Sequence, residues 1–351
     1  MGRAGSGHVG PARLRFRWVL VGLVAVLVAL VAGLAVGPVT LAPGDVVTDL
    51  LHHAFGTPTA MEPRDDAILW LLRLPRVVLG LLVGAMLSLA GGCYQGVFRN
   101  PLADPYLLGV AAGAGLGATT AIVARPGSTV TAPLLVPLAA FAGALLAVGV
   151  TYLLGMSGSR HQATATLLLA GVAVAAFCTA IQTYLQQANT DTIQEVYSWL
   201  LGRLDTSGWH QVLVLLPYVL VTSVVVLAQR RSLDVLGVGD EEAASLGLHP
   251  RRVRIVLIVA ATLGTAAAVS VSGLIGFVGI IVPHAVRLVA GASYRVILPL
   301  SLLFGAAFLT LADLVARMLM SPAEIPIGVV TAFFGAPFFV VVLRTSRRVT
   351  V

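Results

Sequence analysis

Charged side chains at a few defined spacings are the candidates for chemistry in this chain. Arg73 and Arg76 are three residues apart, with Pro75 between them, and so share one helical face. Asp313 and Arg317 are four apart, a spacing that suits either an intrahelical salt bridge or contact with a second molecule. Fixed cations of this kind can bind acidic groups on a partner. The alternative for Arg73 and Arg76 is a pair of solvated anchors at a membrane surface.

A second candidate is the polar segment 240–247. Asp240 is a typical N-cap residue, the two following glutamates suit the positive end of a helix dipole, and the final glycine is a typical helix stop. The sequence therefore predicts one short helix, about 241–246, whose two alanines would let a partner surface approach closely. A structured turn without a partner is the alternative. The segment consists of Asp240, Glu241, Glu242, Ala243, Ala244, Ser245, Leu246 and Gly247.

Nucleotide-binding and catalytic motifs are missing from the sequence. All 22 basic residues are Arg, whereas a phosphate-binding P-loop requires Lys. The seven His residues are scattered, and for the adjacent His52 and His53 a solvated loop is favoured over a metal role. Cys93 and Cys178 lie in apolar runs without metal-ligand spacing. We therefore expect no catalytic residue, no metal and no bound cofactor, and we expect any ATP to be hydrolysed on a separate subunit.

The elements that must position these residues are membrane helices. The chain is 58% hydrophobic and 11% charged, with a mean hydropathy of +0.96, and a span needs about 20 apolar residues. We predict an all-α integral membrane protein with an arm at 1–17, a ten-helix domain at 18–345 that includes a loop at about 229–252, and a tail at 346–351. The ten apolar stretches are 18–36, 67–97, 106–124, 133–156, 164–185, 212–228, 253–271, 274–290, 296–316 and 325–343.

The distribution of Arg residues predicts the orientation of the chain. With both termini in the cytoplasm, 16 of the 22 Arg residues fall on the inner side of the membrane, as the positive-inside rule requires. The net charge of +7 therefore reflects orientation and not nucleic acid, because the Arg residues flank apolar segments and form no stripe. We expect a multi-pass protein of the inner membrane of a bacterium, in contact with membrane lipid.

Several ordered motifs, spread over residues 65–345, carry a family resemblance. They include Arg73-Leu74-Pro75-Arg76, Asn100-Pro101, Asp104-Pro105, Gly276, Pro283-His284, Ala312-Asp313, Ala316-Arg317 and Glu324-Ile325-Pro326-Ile327-Gly328. In this order they resemble the FecCD family of permeases, which import ferric siderophores, haem and cobalamin. The resemblance implies a type II ABC importer permease that translocates an iron-siderophore or related metal chelate by ATP-driven alternating access. Haem or cobalamin import is the alternative, and a secondary transporter or a membrane-embedded enzyme is a more distant one.

The resemblance also implies partners and residue roles. It implies a homodimer, or a pair with a related second permease, together with two cytoplasmic ATPase subunits and an extracytoplasmic substrate-binding protein. Segment 240–247 resembles the coupling helix that contacts the ATPase. Thr164 and Ala165 resemble a cytoplasmic gate, although the family has two hydroxyl residues there. The cations implied to meet acidic residues of the binding protein are Arg73, Arg76 and Arg317.

Overall fold

The computed structural model describes residues 14–57, 61–124, 132–155, 163–204, 208–321 and 323–346. Within these ranges the chain is helical, and its one β-pairing is an isolated bridge between Met320 and Ala323. The predicted amino-terminal arm and the tail lie largely outside the described residues.

The α-helices are numbered in chain order. They are α1 (Phe16–Ala35), α2 (Pro43–Phe55), α3 (Pro63–Ala67), α4 (Leu74–Val97), α5 (Val110–Val123), α6 (Ala132–Gly155), α7 (Ala163–Ala188), α8 (Ile193–Leu200), α9 (His210–Ala228), α10 (Arg230–Leu236), α11 (Asp240–Ser245), α12 (Pro250–Ser272), α13 (Val278–Ala290), α14 (Tyr294–Met318) and α15 (Ile327–Ser346). A π-helical turn, Ile68–Arg73, joins α3 to α4, and a 3₁₀ turn, Pro105–Leu108, precedes α5.

Seven helical segments among the described residues are long and apolar enough to cross a membrane. They are α1, the continuous segment Pro63–Val97, α6, α7, α9, α12 and α14. Three further expected spans correspond to shorter apolar helices, namely α5, α13 and the Ile327–Val342 part of α15. The all-helical architecture is confirmed, whereas the count of ten spans stays a prediction.

Helix α4 lies at the centre of the bundle and packs against α14, α12 and α13. In Pro63–Val97, the helical segment that contains α4, 83% of the most apolar stretch is buried inside the bundle, compared with 28% of that in α1. The peripheral helices α6 and α7 instead direct large apolar side chains outward: Leu146, Leu153, Leu169 and Phe177 are 68–71% exposed. So much outward apolar surface would be costly in water. It is the surface expected of helices that contact lipid.

Glycines allow the central helices to meet backbone to backbone. A Cβ atom at Gly91 of α4 would overlap the carbonyl oxygen of Gly279 in α13, and one at Gly84 would overlap the carbonyl oxygen of Gly305 in α14. Such close approach is typical of membrane helix pairs that have small residues at the contact. Helix α1 belongs to the same bundle, since a Cβ at its Gly22 would lie 2.9 Å from Leu303 of α14.

The connections between the long helices are partly helical. The connection between α1 and α4 contains the short helices α2 and α3, and the one between α7 and α9 contains α8. The predicted loop 229–252 differs from expectation, because it holds two short helices, α10 and α11, where one was predicted. Leu233 and Leu236 of α10 are fully buried, and this anchoring to the bundle explains the additional helix.

Candidate functional site

A network of ion pairs closes one end of the bundle, where α4 begins and α14 ends. We call Arg76, Asp313, Arg317 and Glu324 the outer cluster, after the side of the membrane that the Arg distribution predicts for it. Arg76 Nη2 lies 2.9 Å from Asp313 Oδ1 and 2.8 Å from Glu324 Oε2, and its Nη1 donates to Glu324 Oε1 at 3.0 Å. One guanidinium thus bridges a buried carboxylate and one that is 40% exposed. The side chain of Arg76 is itself only 16% exposed, so a partner can reach only a small part of it.

Arg317 and Asp313 form the predicted i,i+4 pair, with Arg317 Nε 3.0 Å from Asp313 Oδ2. The salt-bridge interpretation of that spacing is therefore confirmed. Arg317 is only 4% exposed, and its Nη2 also donates to the backbone oxygen of Gly33 in α1 at 3.3 Å. The pair holds α14 to the end of α1.

Arg73 lies at the end of the π-helical turn and is 6% exposed. Its Nη1 donates to the backbone oxygens of Leu34 at 2.7 Å and Ala35 at 3.2 Å, and its Nη2 donates to the backbone oxygen of Val39. The guanidinium thereby satisfies carbonyl groups that the end of α1 leaves without helical partners. The interpretation of Arg73 as a solvated anchor is wrong, and its role in docking stays a prediction.

A second polar site lies at the other end of α4, about 36 Å away for its 24 residues. We call Arg99, Asp240 and Arg254 the coupling cluster, after the role that the family resemblance implies for segment 240–247. Arg254 donates to both oxygens of Asp240 at 2.6 Å, and Arg99 Nη2 also bonds Asp240 Oδ1. The pKa of Asp240 is lowered, mainly by its hydrogen bonds with Arg254. One carboxylate thus connects α11 to the end of α4 and the start of α12.

The predicted cap of α11 is wrong in detail. Its N-cap is Gly239, and Asp240 is the first helical residue, with its side chain turned to the two guanidinium groups and not to the backbone of its own helix. Charge-assisted bonds to two Arg residues are stronger than a single backbone cap, which explains the difference. The predicted stop is confirmed, since Gly247 has φ of 82°.

Helix α11 presents two different faces. Ala243 is fully buried against the bundle, whereas Leu246 is 70% exposed at the end of the helix. Ala244, Ser245, Glu241 and Glu242 are exposed as well. An exposed leucine on a short helix with small neighbours is a surface that a partner protein can cover.

Asp234 of α10 makes contacts that the sequence analysis did not anticipate. Its Oδ1 accepts from the backbone N–H of Tyr294 at 2.6 Å, and its Oδ2 accepts from Ser293 Oγ at 2.7 Å. Arg295 Nε lies 3.3 Å from the same Oδ2. The carboxylate therefore caps α14 from another helix and fixes α10 to the bundle.

Motif residues around α5 and α13 lie at a non-helical break between two apolar helices. Between α12 and α13 the chain is non-helical, and Tyr106 Oη donates to the backbone oxygen of Ile275 at 3.0 Å while accepting from its N–H at 3.1 Å. Tyr106 thus satisfies both backbone groups of one residue in the break. Phe277 adopts the left-handed φ of 68° at the start of α13. The sequence analysis did not single out Tyr106, although its position directly after Asp104-Pro105 was an available signal.

The connection from α4 to α5 is ordered by its own polar side chains. Asn100 Oδ1 accepts from the backbone N–H of Leu102 at 2.9 Å, and Asp104 Oδ1 accepts from that of Tyr106 at 2.7 Å. His284 is 7% exposed and interacts with the backbone of Pro101. Asn100 and Asp104 thus order the connection locally, and His284 contacts it from α13. Gly276, by contrast, has open space around the position of a Cβ.

Asp104 is expected to lower stability at neutral pH. Burial raises the pKa of its carboxyl group to about 6, although the hydrogen bond from the Tyr106 N–H opposes the shift. A folded-state pKa above the unfolded value gives stability that is complete below about pH 4 and is lost as the pH rises through about 6. Asp104→Asn keeps the accepting oxygen, so it should stabilise the protein by on the order of 1–3 kcal/mol at pH 8.

The measurement for Asp104→Asn is the apparent melting temperature in detergent at several pH values. The gain over the unmodified protein should be largest at pH 8 and should decrease toward pH 5. An equal gain at every pH would show that the carboxylate charge is not its cause.

The predicted gate lies at the start of α7. Ala165 is exposed in the isolated chain, and the side chain of Thr164 lies outside the described residues. The gate assignment stays a prediction.

The comparisons with known proteins agree with this architecture. The FecCD transport family matches residues 24–345. The chain belongs to the FecCD family. It is 42% identical to the cobalamin import system permease protein BtuC of Halobacterium salinarum, over 97% of this chain and 91% of that protein. It is 38% identical to the vitamin B12 import system permease protein BtuC of Escherichia coli O9:H4 (strain HS), over 96% of this chain and 97% of that protein.

A solved structure has the same fold. A metal-chelate type ABC transporter in an inward-facing conformation superposes with a TM-score of 0.81 at 29% identity, covering 94% of this chain and 99% of that chain. This FecCD protein is therefore a multi-pass permease of an ABC importer.

Proposed function

We propose that this FecCD permease carries a cobalamin-type corrinoid, a large cobalt chelate, into the cell. The observation that carries the proposal is the pair of relatives named for cobalamin and vitamin B12 import, each aligned with the chain over more than nine tenths of its length. The expected iron-siderophore cargo has no comparable support among these relatives, so the alternative from the sequence analysis becomes the first choice. A ferric siderophore remains the second candidate, because the structural neighbour is of the metal-chelate type.

Uptake by the native host tests the cargo. Deletion of this reading frame should abolish accumulation of radiolabelled cyanocobalamin at nanomolar concentration and leave uptake of labelled ferric siderophore unchanged. A plasmid copy of the gene should restore cobalamin uptake. Loss of siderophore uptake with normal cobalamin uptake would contradict the proposal and favour the second candidate.

The transport cycle we propose is alternating access driven by a partner ATPase. The permease works as a dimer, either of two copies or with a related chain, with both termini and the loop 229–252 in the cytoplasm and with two ATPase subunits bound there. Closure of the ATPase subunits displaces α11, and the coupling cluster transfers that displacement to α4 and α12, since Asp240 bonds to Arg99 and Arg254. The gate at Thr164 and Ala165 then opens or closes.

The substrate-binding protein docks at the outer cluster in this proposal. Of the three arginines assigned to docking, Arg76 has the most accessible side chain, and Glu324 already occupies two of its nitrogens. An acidic residue of the binding protein would compete with Glu324 for that guanidinium. Arg73 and Arg317 are more deeply buried, and they bind the backbone at the end of α1 and the carboxylate of Asp313, respectively.

Two substitutions with opposite effects test this arrangement. Glu324→Gln should strengthen capture of the binding protein, because it removes the competing carboxylate, and Arg76→Gln should weaken capture by about tenfold at low salt, where electrostatic attraction is least screened. The measurement is binding of the purified binding protein to the permease in nanodiscs. Equal affinities for both variants and the unmodified permease would remove the outer cluster from the docking surface.

A further inference from the structure

A His–carboxylate cluster lies near the outer end of the bundle, in the connection between α1 and α4. Asp49 and His53 are four residues apart on α2, and Asp66 lies on α3. One ligand atom from each residue can be chosen so that all three lie within 4.8 Å of one another. Small movements of the side chains would bring these atoms to the spacing of ligands around one ion.

Hydrogen bonds within the cluster account for part of this arrangement. His53 Nδ1 lies 3.2 Å from the backbone oxygen of Asp49, and Asp49 Oδ2 accepts from the indole Nε1 of Trp70 at 2.8 Å. The ring of Trp70 also packs on that of His53, with centroids 4.3 Å apart. These contacts fix the imidazole and one carboxylate, as outer-shell partners of metal ligands do.

The contacts leave two atoms close to each other without a hydrogen bond between them. His53 Nε2 faces Asp66 Oδ1 at 3.9 Å, which is too long for a hydrogen bond. Asp66 Oδ1 is buried and has no hydrogen-bond partner among the described residues. A buried carboxylate oxygen without a donor is costly, and a cation between the two atoms would remove that cost.

We propose that Asp49, His53 and Asp66 bind a divalent transition-metal ion, of which Zn²⁺ is the suitable probe. Imidazole nitrogen and carboxylate oxygen are both ligand types that such an ion binds, and water would complete its coordination. The two carboxylates supply the negative charge that compensates the ion. The side chain of Asp49 is 2% exposed, whereas that of His53 is 39% exposed, so the site is built into the fold and remains open to solvent.

The ion would join α2 to α3 and thereby fix the segment that leads into α4. That segment ends at Arg73, which bonds to the backbone at the end of α1. The proposed role is to stabilise the extracytoplasmic surface next to the outer cluster. It does not depend on which chelate the permease carries.

Zn²⁺ titration of the purified full-length protein tests the site. The protein is prepared in detergent without a polyhistidine tag, treated with chelator and titrated in a calorimeter. The unmodified protein should bind one Zn²⁺ with defined affinity and should melt at a higher apparent temperature with Zn²⁺ than without. His53→Ala and Asp66→Asn should each weaken this binding by at least about tenfold.

His52→Ala is the matched control. In the unmodified protein, His52 Nδ1 lies 2.5 Å from Thr57 Oγ1, outside the cluster. The His52→Ala variant should therefore bind Zn²⁺ as the unmodified protein does. Asp66→Asn preserves side-chain shape, and its melting temperature without Zn²⁺ verifies that it folds. Absence of Zn²⁺ binding to the unmodified protein would overturn the proposal. Unchanged Zn²⁺ affinity in the folded His53→Ala and Asp66→Asn variants would do so as well.

Discussion

Replacing Leu246 with Glu should release the ATPase subunits and abolish ATP-driven uptake. Leu246 is 70% exposed at the end of α11, the helix that we propose contacts the ATPase. An apolar side chain buried at that contact favours binding, whereas a carboxylate there must be desolvated without a partner. A cost of about 3 kcal/mol would weaken association roughly hundredfold. The fold should tolerate the change, because the side chain has little contact with the rest of the chain.

Co-purification of the ATPase with the permease measures this effect. Leu246→Met is the control, since it keeps an apolar side chain of similar volume and should retain both association and uptake. Normal ATPase binding by Leu246→Glu would exclude α11 as the contact.

The second large effect is expected for Gly91→Ala. A single methyl group at this position would overlap the carbonyl oxygen of Gly279 and lie 2.5 Å from its Cα. Both obstacles are backbone atoms, so α4 and α13 would have to separate along their contact. Overpacking costs about 1–3 kcal/mol and occasionally more, and the rigid backbone obstacles place Gly91→Ala at the upper end of this range. We expect little folded protein in the membrane.

Gly276→Ala provides the comparison for that variant. It introduces the same methyl group, but no atom lies within 4 Å of the new Cβ. Its yield and melting temperature should match those of the unmodified permease, and size-exclusion chromatography in detergent measures both variants. If the two substitutions had equal effects, the backbone contact between Gly91 and Gly279 would not explain the glycine at 91.

The sequence was sufficient for features that depend on local pattern. Apolar runs located the long helices, because a span needs continuous apolar length. The glycine stop of α11 was also predictable, since Gly247 adopts a left-handed φ that favours glycine. Spacing alone predicted the pair of Asp313 and Arg317 as one of two interpretations.

Features that depend on distant residues could not be predicted. Arg73 is buried because α1 brings the carbonyl groups of Leu34 and Ala35 to it. Tyr106 completes a helix break that lies 169 residues further along the chain. Similarly, Asp240 was expected to cap its own helix, but it binds Arg99 and Arg254 instead. Both Arg residues come from other segments, so the local sequence could not indicate these contacts. In each case the partner is supplied by tertiary packing.

Transport by reconstituted liposomes tests whether uptake by this permease depends on a separate ATPase. Vesicles are prepared with this permease alone, and with the permease together with its ATPase and binding protein, and uptake of cyanocobalamin against a gradient is followed with and without ATP. We predict uphill uptake only for the complete assembly, with ATP inside the compartment that faces α11. Uphill uptake or ATP hydrolysis by the permease alone would contradict it.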